Sequence, residues 1–226
     1  MNRKFYSLSY QQKKFNNDNN IEEIRIRKIL SFIGSNKKVL DLGCGNGTIS
    51  LKIIANNNQV TGVEFAKEAV RQVRNKGIRI YDLSLNTQWS KKIKGKFDVV
   101  FAGEVIEHIF DTDNFLQNVK GVLKKNGYLV LTTPNIASLG RRLLLLLGKN
   151  PLIETTARKG DAGHVRYFTR KTLINLLKEN GFKTEALTAT LVNFSQSGAI
   201  YSETLASWFP TLGSQLIVKA KPVTGL

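Results

Sequence analysis

The run from Val39 to Gly47, VLDLGCGNG, sets an apolar strand pattern directly against glycines at 43, 45 and 47, with a helical pattern opening at Thr48. Glycines let a backbone approach a ligand closely, and a helix N-terminus offers unpaired N–H groups to a carboxylate or phosphate. This is the grammar of a nucleotide-cofactor loop. A dinucleotide fingerprint requires G-x-G-x-x-G, but Thr48 stands at the sixth position here and the spacing is G-x-G-x-G. Asp41, on the strand just before the turn, is poorly placed for a pyrophosphate and well placed to accept from an ammonium group. Both departures disfavour NAD. Cys44 sits inside the turn, where a small side chain is needed; a lone buried cysteine behaves as a small hydrophobe, which argues against a covalent cysteine mechanism.

Glu64 closes the run VTGVE, about 20 positions beyond the glycines, where an acidic side chain grips ribose hydroxyls in nucleotide-binding βαβ units. Its alternative is a carboxylate that favours the start of the next helix. Phe65 reads either as a cover for one face of an adenine or as core. Asp82, after the third apolar run, reads as an acceptor for an adenine amino group or as a turn former. The joint spacing of Glu64 and Phe65 favours the cofactor. The second constellation is EVIEHI, Glu104 to Ile109. On a helix, Glu104, Glu107 and His108 fall at i, i+3 and i+4 and project from one face. The chain has 2 histidines, and the other, His164, lies in GHVRYFT. A neutral imidazole, with an ordinary pKa of about 6.5, is suited to remove a proton from a hydroxyl. The same residues also suit a hydrogen-bonded network around a loop. Glu107, His108 and His164 are the candidate catalytic residues.

Short apolar runs bounded by turn residues appear at 38–42, 59–63, 78–81, 97–101 and 128–132, separated by stretches of helical period at 48–55, 66–75 and 112–124 and a short piece near Trp89. This alternation predicts βαβ units and a mostly parallel sheet covered on both faces. A helix over 21–33 precedes them. A helix over 169–180 follows, and the tail carries two further strands, at 183–192 and 215–220. The expected organisation is one domain over residues 1–226, with a mobile basic arm over 1–20 and an insertion or lid over 136–168 above an acceptor site.

The chain resembles the class I S-adenosylmethionine-dependent methyltransferases. The resemblance covers about residues 35–185 and rests on VLDLGCGNG, VTGVE, IRIYDL, FDVVFAGEVIEHI, GYLVLTTPN and GHVRYFT. In motif it is most similar to the ubiquinone-biosynthesis O-methyltransferase-like branch. It implies an α/β, Rossmann-like, doubly wound seven-stranded sheet with an antiparallel last strand. It also implies S-adenosyl-L-methionine as cofactor and S-adenosyl-L-homocysteine as product. The amino-acid end of the cofactor would meet Asp41, Gly43, Cys44, Gly45 and Gly47, the ribose Glu64, and the adenine Phe65, Asp82 and Leu83. Gly103 would line the pocket. In the ubiquinone-type enzymes and the small-RNA 3′-terminal methyltransferases, similarly placed Glu and His residues hold a divalent ion, which makes Glu104, Glu107, His108 and His164 a candidate ligand set here.

Composition bounds the rest. The chain has 226 residues, 42% of them hydrophobic, and one cysteine, which excludes a disulfide framework and multi-cysteine metal sites and favours a cytoplasmic setting. The first twenty residues are basic and polar and do not read as a secretory signal. The 34 Lys and Arg against 17 Asp and Glu leave a charge of +17, which suits an anionic partner or a membrane surface. Basic residues crowd Arg71 to Lys96, yet no RNA-binding module accompanies them, so nucleic acid is the less favoured partner. Arg141 and Arg142 beside Leu143 to Leu147 read as a lid or an interfacial helix touching lipid headgroups or an acyl acceptor, with core packing as the alternative. The AGEVIEH segment is unlike the Asn/Asp-Pro-Pro-aromatic segment of the DNA amino-methyltransferases. The expected activity is methyl transfer to a small or medium-sized acceptor, on oxygen: a small molecule, a glycan or a lipid-linked compound. The alternatives are RNA 2′-O-methylation and a non-catalytic cofactor-binding subunit.

Overall fold

The computed structural model describes residues 19–152, 163–194 and 200–223. The arm expected over 1–20 falls outside the described residues except for Asn19 and Asn20, as do residues 153–162 of the expected lid.

Helix α1 (Asn19–Ile33) leads through Gly34 into β1 (Lys38–Leu42), α2 (Thr48–Ala55), β2 (Gln59–Glu64), α3 (Lys67–Asn75) and β3 (Arg79–Asp82). Then follow a 3-10 turn at Trp89–Lys92, β4 (Phe97–Gly103), a second 3-10 turn at Ile106–His108, α4 (Thr112–Val122) and β5 (Leu123–Pro134). Beyond them lie α5 (Leu139–Leu146), α6 (Arg170–Glu179), β6 (Phe182–Ala189), the two-residue strands β7 (Val192–Asn193) and β8 (Tyr201–Ser202), α7 (Glu203–Trp208), a turn at Pro210–Leu212, and β9 (Gln215–Pro222). The main sheet has seven strands in the order β3-β2-β1-β4-β5-β9-β6. The first five are parallel, and β9 enters antiparallel between β5 and β6.

The central strands are apolar on both faces, and each face has its own helical layer. Because side chains alternate across a strand, Val99 and Phe101 of β4 and Tyr128 and Val130 of β5 face a core shared with Ile29 and Ile33 of α1 and Ile53 of α2. Val100, Leu129 and Leu131 face the other core, with Trp89, Phe115 and Leu116 of α4 and Leu173 and Leu177 of α6. Helix α3 shows why such segments become helical: Ala69, Val70 and Val73 form a buried stripe and its charged residues turn outward. Helix α6 starts where expected, because Thr169 and Thr172 form a reciprocal capping box.

Three boundaries differ from expectation. Helix α4 ends at Val122, because Leu123 already pairs with Phe97 in the sheet. The strand expected to run to 192 stops at Ala189, and the chain turns off into the separate β7–β8 ribbon. Helix α5 falls where the interfacial helix or lid was expected, whereas α7 was not anticipated; both gather with that ribbon around buried Ala189, Val192 and Ala206, packed by Leu139, Leu205 and Leu212.

Candidate active site

Parallel strands that end together place their C-terminal residues in one row, and the site is built on that row. Leu42 pairs with Val63 and Glu64 with Asp82, so the glycine turn, Glu64 and Asp82 emerge side by side. At Gly43 the backbone has φ 66°, and a Cβ there would stand 2.7 Å from Cγ2 of Val105, so both conformation and space demand glycine. Gly47, at φ 81°, occupies the N-cap of α2 and turns the chain into the helix. The turn is tied down by Gly43 and Cys44 N–H groups donating to the Val63 carbonyl at 2.8 and 3.2 Å. The Cys44 sulfur lies against Gly62, where a Cβ would approach it to 2.7 Å. Burial and the carboxylates of Asp41 and Glu64 push its thiol pKa far up, so it fills space and does not ionise.

Two carboxylates flank this turn with different hydrogen-bond partners. Asp41 is buried and accepts a hydrogen bond of 2.6 Å from Ser50 Oγ on α2. Burial raises its pKa to about 7, the Ser50 bond opposing and Glu64 adding. Glu64 has its oxygens turned to the backbone: Oε2 accepts from Gly45 N at 3.0 Å, and Oε1 accepts from Phe65 N at 2.6 Å and Ala66 N at 2.8 Å. The capping alternative and the cofactor reading thus meet in one residue, since three N–H bonds leave a carboxylate one of its roughly four lone-pair directions. Leu83 is held beside it by donating to the Glu64 carbonyl at 3.0 Å. Phe65 is half-buried and Asp82 exposed at the rim. Gly103 ends β4 in register with Thr132, and a Cβ on it would meet the Phe101 ring at 2.7 Å.

The cradle suits the cofactor implied by the sequence. A carboxylate left in a dry setting with one neutral hydroxyl donor gains most from a ligand ammonium, and the glycine turn leaves no side chain in the way.

At the turn that follows β4, Glu107, His108 and His164 bring one ligand atom each to within 4.8 Å of one another. His164 Nε2 stands 3.9 Å from Glu107 Oε1, and the two imidazole centroids are 4.8 Å apart. Glu107 is 1% exposed, and its Oε2 accepts from Thr133 Oγ1 at 3.1 Å. Residues 163–168, distant in sequence, are laid onto this turn by the backbone. Val165 and Arg166 N–H groups donate to the Glu107 carbonyl, and the Arg166 guanidinium donates to the carbonyls of Ile109 and Phe110. His108 Nδ1 lies 3.2 Å from the Gly163 carbonyl. A carbonyl only accepts, so Nδ1 carries the proton, and in the neutral ring Nε2 bears the lone pair.

Glu104 departs from expectation. It does not share a helical face with Glu107 and His108, because only Ile106–His108 makes a turn and Glu104 itself adopts a left-handed φ of 54°. Its carboxylate accepts from Thr132 Oγ1 at 2.8 Å and Gln215 Nε2 at 3.0 Å, whereas Glu107 takes Thr133. Thr132 and Thr133 are consecutive on β5 and point to opposite faces of the sheet. The two carboxylates therefore lie on opposite sides of β5, and the candidate ligand set loses Glu104. Burial raises the Glu104 pKa, against the bonds from Thr132 and Gln215. Ser50, Thr132, Thr133 and Gln215 were missed as site residues. The adjacent threonines at a strand end were the one available signal.

The methyltransferase-domain family matches residues 19–187 of the chain. The human mitochondrial ubiquinone biosynthesis O-methyltransferase is 28% identical over 165 residues, which cover 69% of this chain and 44% of that protein. The ubiquinone biosynthesis O-methyltransferase of Thiobacillus denitrificans is 26% identical over 162 residues, 70% of this chain and 69% of the relative. The chain thus spans less than half of the human protein's length. Among solved structures, a SAM-dependent methyltransferase from Archaeoglobus fulgidus superposes with a TM-score of 0.66 at 16% identity, over 92% of this chain and 96% of that one. The Burkholderia thailandensis 1,6-didemethyltoxoflavin-N1-methyltransferase with bound S-adenosylhomocysteine gives 0.63 at 14% identity, over 98% and 87%. The glycine turn, the strand order and these matches agree, and the chain belongs to the class I S-adenosylmethionine-dependent methyltransferases.

Proposed function

We propose that this methyltransferase acts on a hydroxyl oxygen of a small or medium-sized acceptor, and that the cluster of Glu107, His108 and His164 receives the hydroxyl proton. The observation that carries this reading is the convergence of two imidazoles and a buried carboxylate from segments more than fifty residues apart, beside the turn that follows β4. The bound cofactor supplies an electrophilic methyl group on a sulfonium, so the protein's task is alignment, exclusion of water and removal of one proton.

Each residue has a part that its surroundings favour. Asp41 and the glycine turn bind the amino-acid end of the cofactor, and the remaining lone-pair direction of Glu64 serves a ribose hydroxyl. His108 takes the acceptor proton at Nε2, since its Nδ1–H is committed to Gly163. Glu107, buried and steadied by Thr133, stabilises the positive charge that the imidazoles gain. The curated relatives named for ubiquinone biosynthesis O-methylation support oxygen as the methylated atom.

The donor set of one carboxylate and two imidazoles also fits a divalent ion of intermediate softness, such as zinc, manganese or iron. Glu107, His108 and His164 would hold it, and it would supply acidification of the acceptor hydroxyl.

The test is transfer of labelled methyl from S-adenosylmethionine into fractionated cell extract, followed by identification of the labelled bond. Label in an ether or ester oxygen is expected, with turnover about 10²-fold lower in His108→Ala and cofactor affinity unchanged. Label confined to nitrogen or carbon overturns the oxygen reading. Loss of activity with a chelator, restored by a divalent ion, assigns the cluster to a metal; chelator-resistant activity that rises with pH near the histidine range assigns it to proton transfer.

A further inference from the structure

Helix α3 carries a stripe of cations. Lys67, Arg71 and Arg74 follow one another at i, i+4 and i+7, so they project from one side of the helix. With Val70, Asn75 and Asp82 they line a cavity of about 350 Å³ between α3 and the end of β3. Val70 is buried and gives the cavity an apolar floor, while the cations and the Asn75 carboxamide stand at its exposed rim. Strand β3 is the last strand on this side of the sheet, so no further strand covers the cavity.

Like charges three and four positions apart destabilise a helix, and one carboxylate answers them here. Glu68 accepts from Arg71 at 2.9 Å and from Gln72 at 3.2 Å. Among the described residues, Lys67 and Arg74 make no hydrogen bond or ion pair. A stripe that costs its helix stability and converges on a cavity differs from lysines scattered over a surface. The cavity also leads away from the cofactor cradle. Because β2 and β3 are parallel, α3 must run back along the sheet from the row of strand ends that holds Glu64 and Asp82. Arg74 lies seven residues beyond Lys67, about 10 Å further from that row.

From this cavity and its cations we infer a second ligand site, for a small phosphate monoester of the size of a sugar phosphate or a mononucleotide. Its volume lies at the lower end of the range for small-molecule pockets. The planar guanidinium of Arg74 matches two phosphate oxygens and the Lys67 ammonium adds a point charge. These two unpartnered cations together balance the roughly two negative charges of a monoester at neutral pH. Asn75 and Asp82 offer hydrogen bonds to ligand hydroxyls, and Val70 lies under the carbon skeleton. A long nucleic acid is the weaker occupant, because cations that would extend the track are already engaged: Lys76 by the Asn46 carbonyl, Arg79 by the Tyr81 ring and Lys96 by the Gly121 carbonyl. The inference stands independently of which acceptor atom is methylated.

The experiment is calorimetric titration of the full-length chain, saturated with S-adenosylhomocysteine, with ribose 5-phosphate and with ribose as the phosphate-free control. Binding of the phosphate alone, weakened by salt, is expected. Arg74→Ala and Lys67→Ala should each weaken it about 10-fold, the scale of a lost charge-assisted hydrogen bond. Lys91→Ala, in the same basic stretch but outside the cavity, should leave it unchanged. Circular dichroism and the S-adenosylhomocysteine affinity of each variant establish that the fold and the cradle are kept. No binding of ribose 5-phosphate overturns the inference, as does equal binding of ribose or a loss in Lys91→Ala as large as that in Arg74→Ala. Binding that S-adenosylhomocysteine abolishes assigns the phosphate to the cofactor cradle and overturns it too. A single-stranded RNA oligonucleotide that Arg74→Ala releases, with ribose 5-phosphate unbound, assigns the cations to a polyanion and equally overturns it.

Discussion

Asp41 shows how one side chain sets stability against function. An aspartate ordinarily titrates near about 3.9, and burial has moved this one to about 7. Between those values the folded protein keeps a proton that the unfolded chain has released, so stability falls as pH rises through the window and the full penalty is present above it. A ligand ammonium reverses the sign, because it favours the ionised carboxylate. Affinity for S-adenosylhomocysteine should therefore strengthen up to about pH 7 and level off above, which calorimetric titration at several pH values would show. Asp41→Asn should raise the unfolding temperature of the unliganded protein at about pH 8 while weakening ligand binding by roughly 10- to 100-fold, the scale of a lost charge-assisted hydrogen bond. A variant that both unfolds earlier and binds normally would assign Asp41 to the scaffold. Gly43→Ala has no such compensation: at φ 66° and 2.7 Å from Val105, the added methyl should cost about 1 to 3 kcal/mol in a denaturant titration and abolish cofactor binding.

The elements explain which of these roles could be read from sequence. The alternation of strand and helix, the glycine turn and the order of motifs all follow from patterns that span a few residues, and the sheet, its parallel core and the placing of the glycine turn beside Glu64 and Asp82 were legible from them. Glu104 was misplaced because a helical face was assumed where the chain makes a left-handed step and a single 3-10 turn. That step is set by Thr132 and Gln215, and Gln215 lies 111 residues away; no local spacing encodes it. Of the cluster formed by α5, the β7–β8 ribbon and α7, only α5 was read from sequence, since its core is assembled from single residues of several short elements. The division at β5 gives a prediction at this scale. Glu104→Gln keeps acceptor capacity toward Thr132 on the far face and should change turnover less than about threefold. Glu107→Gln, inside the cluster, should lower turnover by about 10²-fold in steady-state assays, the usual scale for a proton-transfer group.

At the scale of the whole molecule, the excess positive charge is spread and partly occupied. In the basic stretch from Arg71 to Lys96, Arg71 pairs with Glu68, Lys76 donates to the Asn46 carbonyl, Arg79 lies over the Tyr81 ring and Lys96 donates to the Gly121 carbonyl. Such exposed pairs contribute little to stability. Raising salt from low to about physiological strength should therefore move the unfolding temperature upward slightly, by relieving repulsion over the whole surface, and not downward as loss of a salt-bridge network would require. Differential scanning fluorimetry across a salt series checks the direction.

The position of β9 bears on how the protein is made. Its eight residues, Gln215–Pro222, pair with β5 on one side and β6 on the other, so during synthesis both strands keep an unpaired edge until residues 215–222 have been made. Neither can borrow the other, because the gap between them is one strand wide. A nascent chain halted before residue 215 holds a five-stranded parallel sheet with an exposed apolar edge at Leu129 to Thr133 and a detached β6, the kind of species that chaperones retain and that aggregates without them. Joining of β6 to the sheet consequently waits for β9, the last in chain order of the sheet's seven strands.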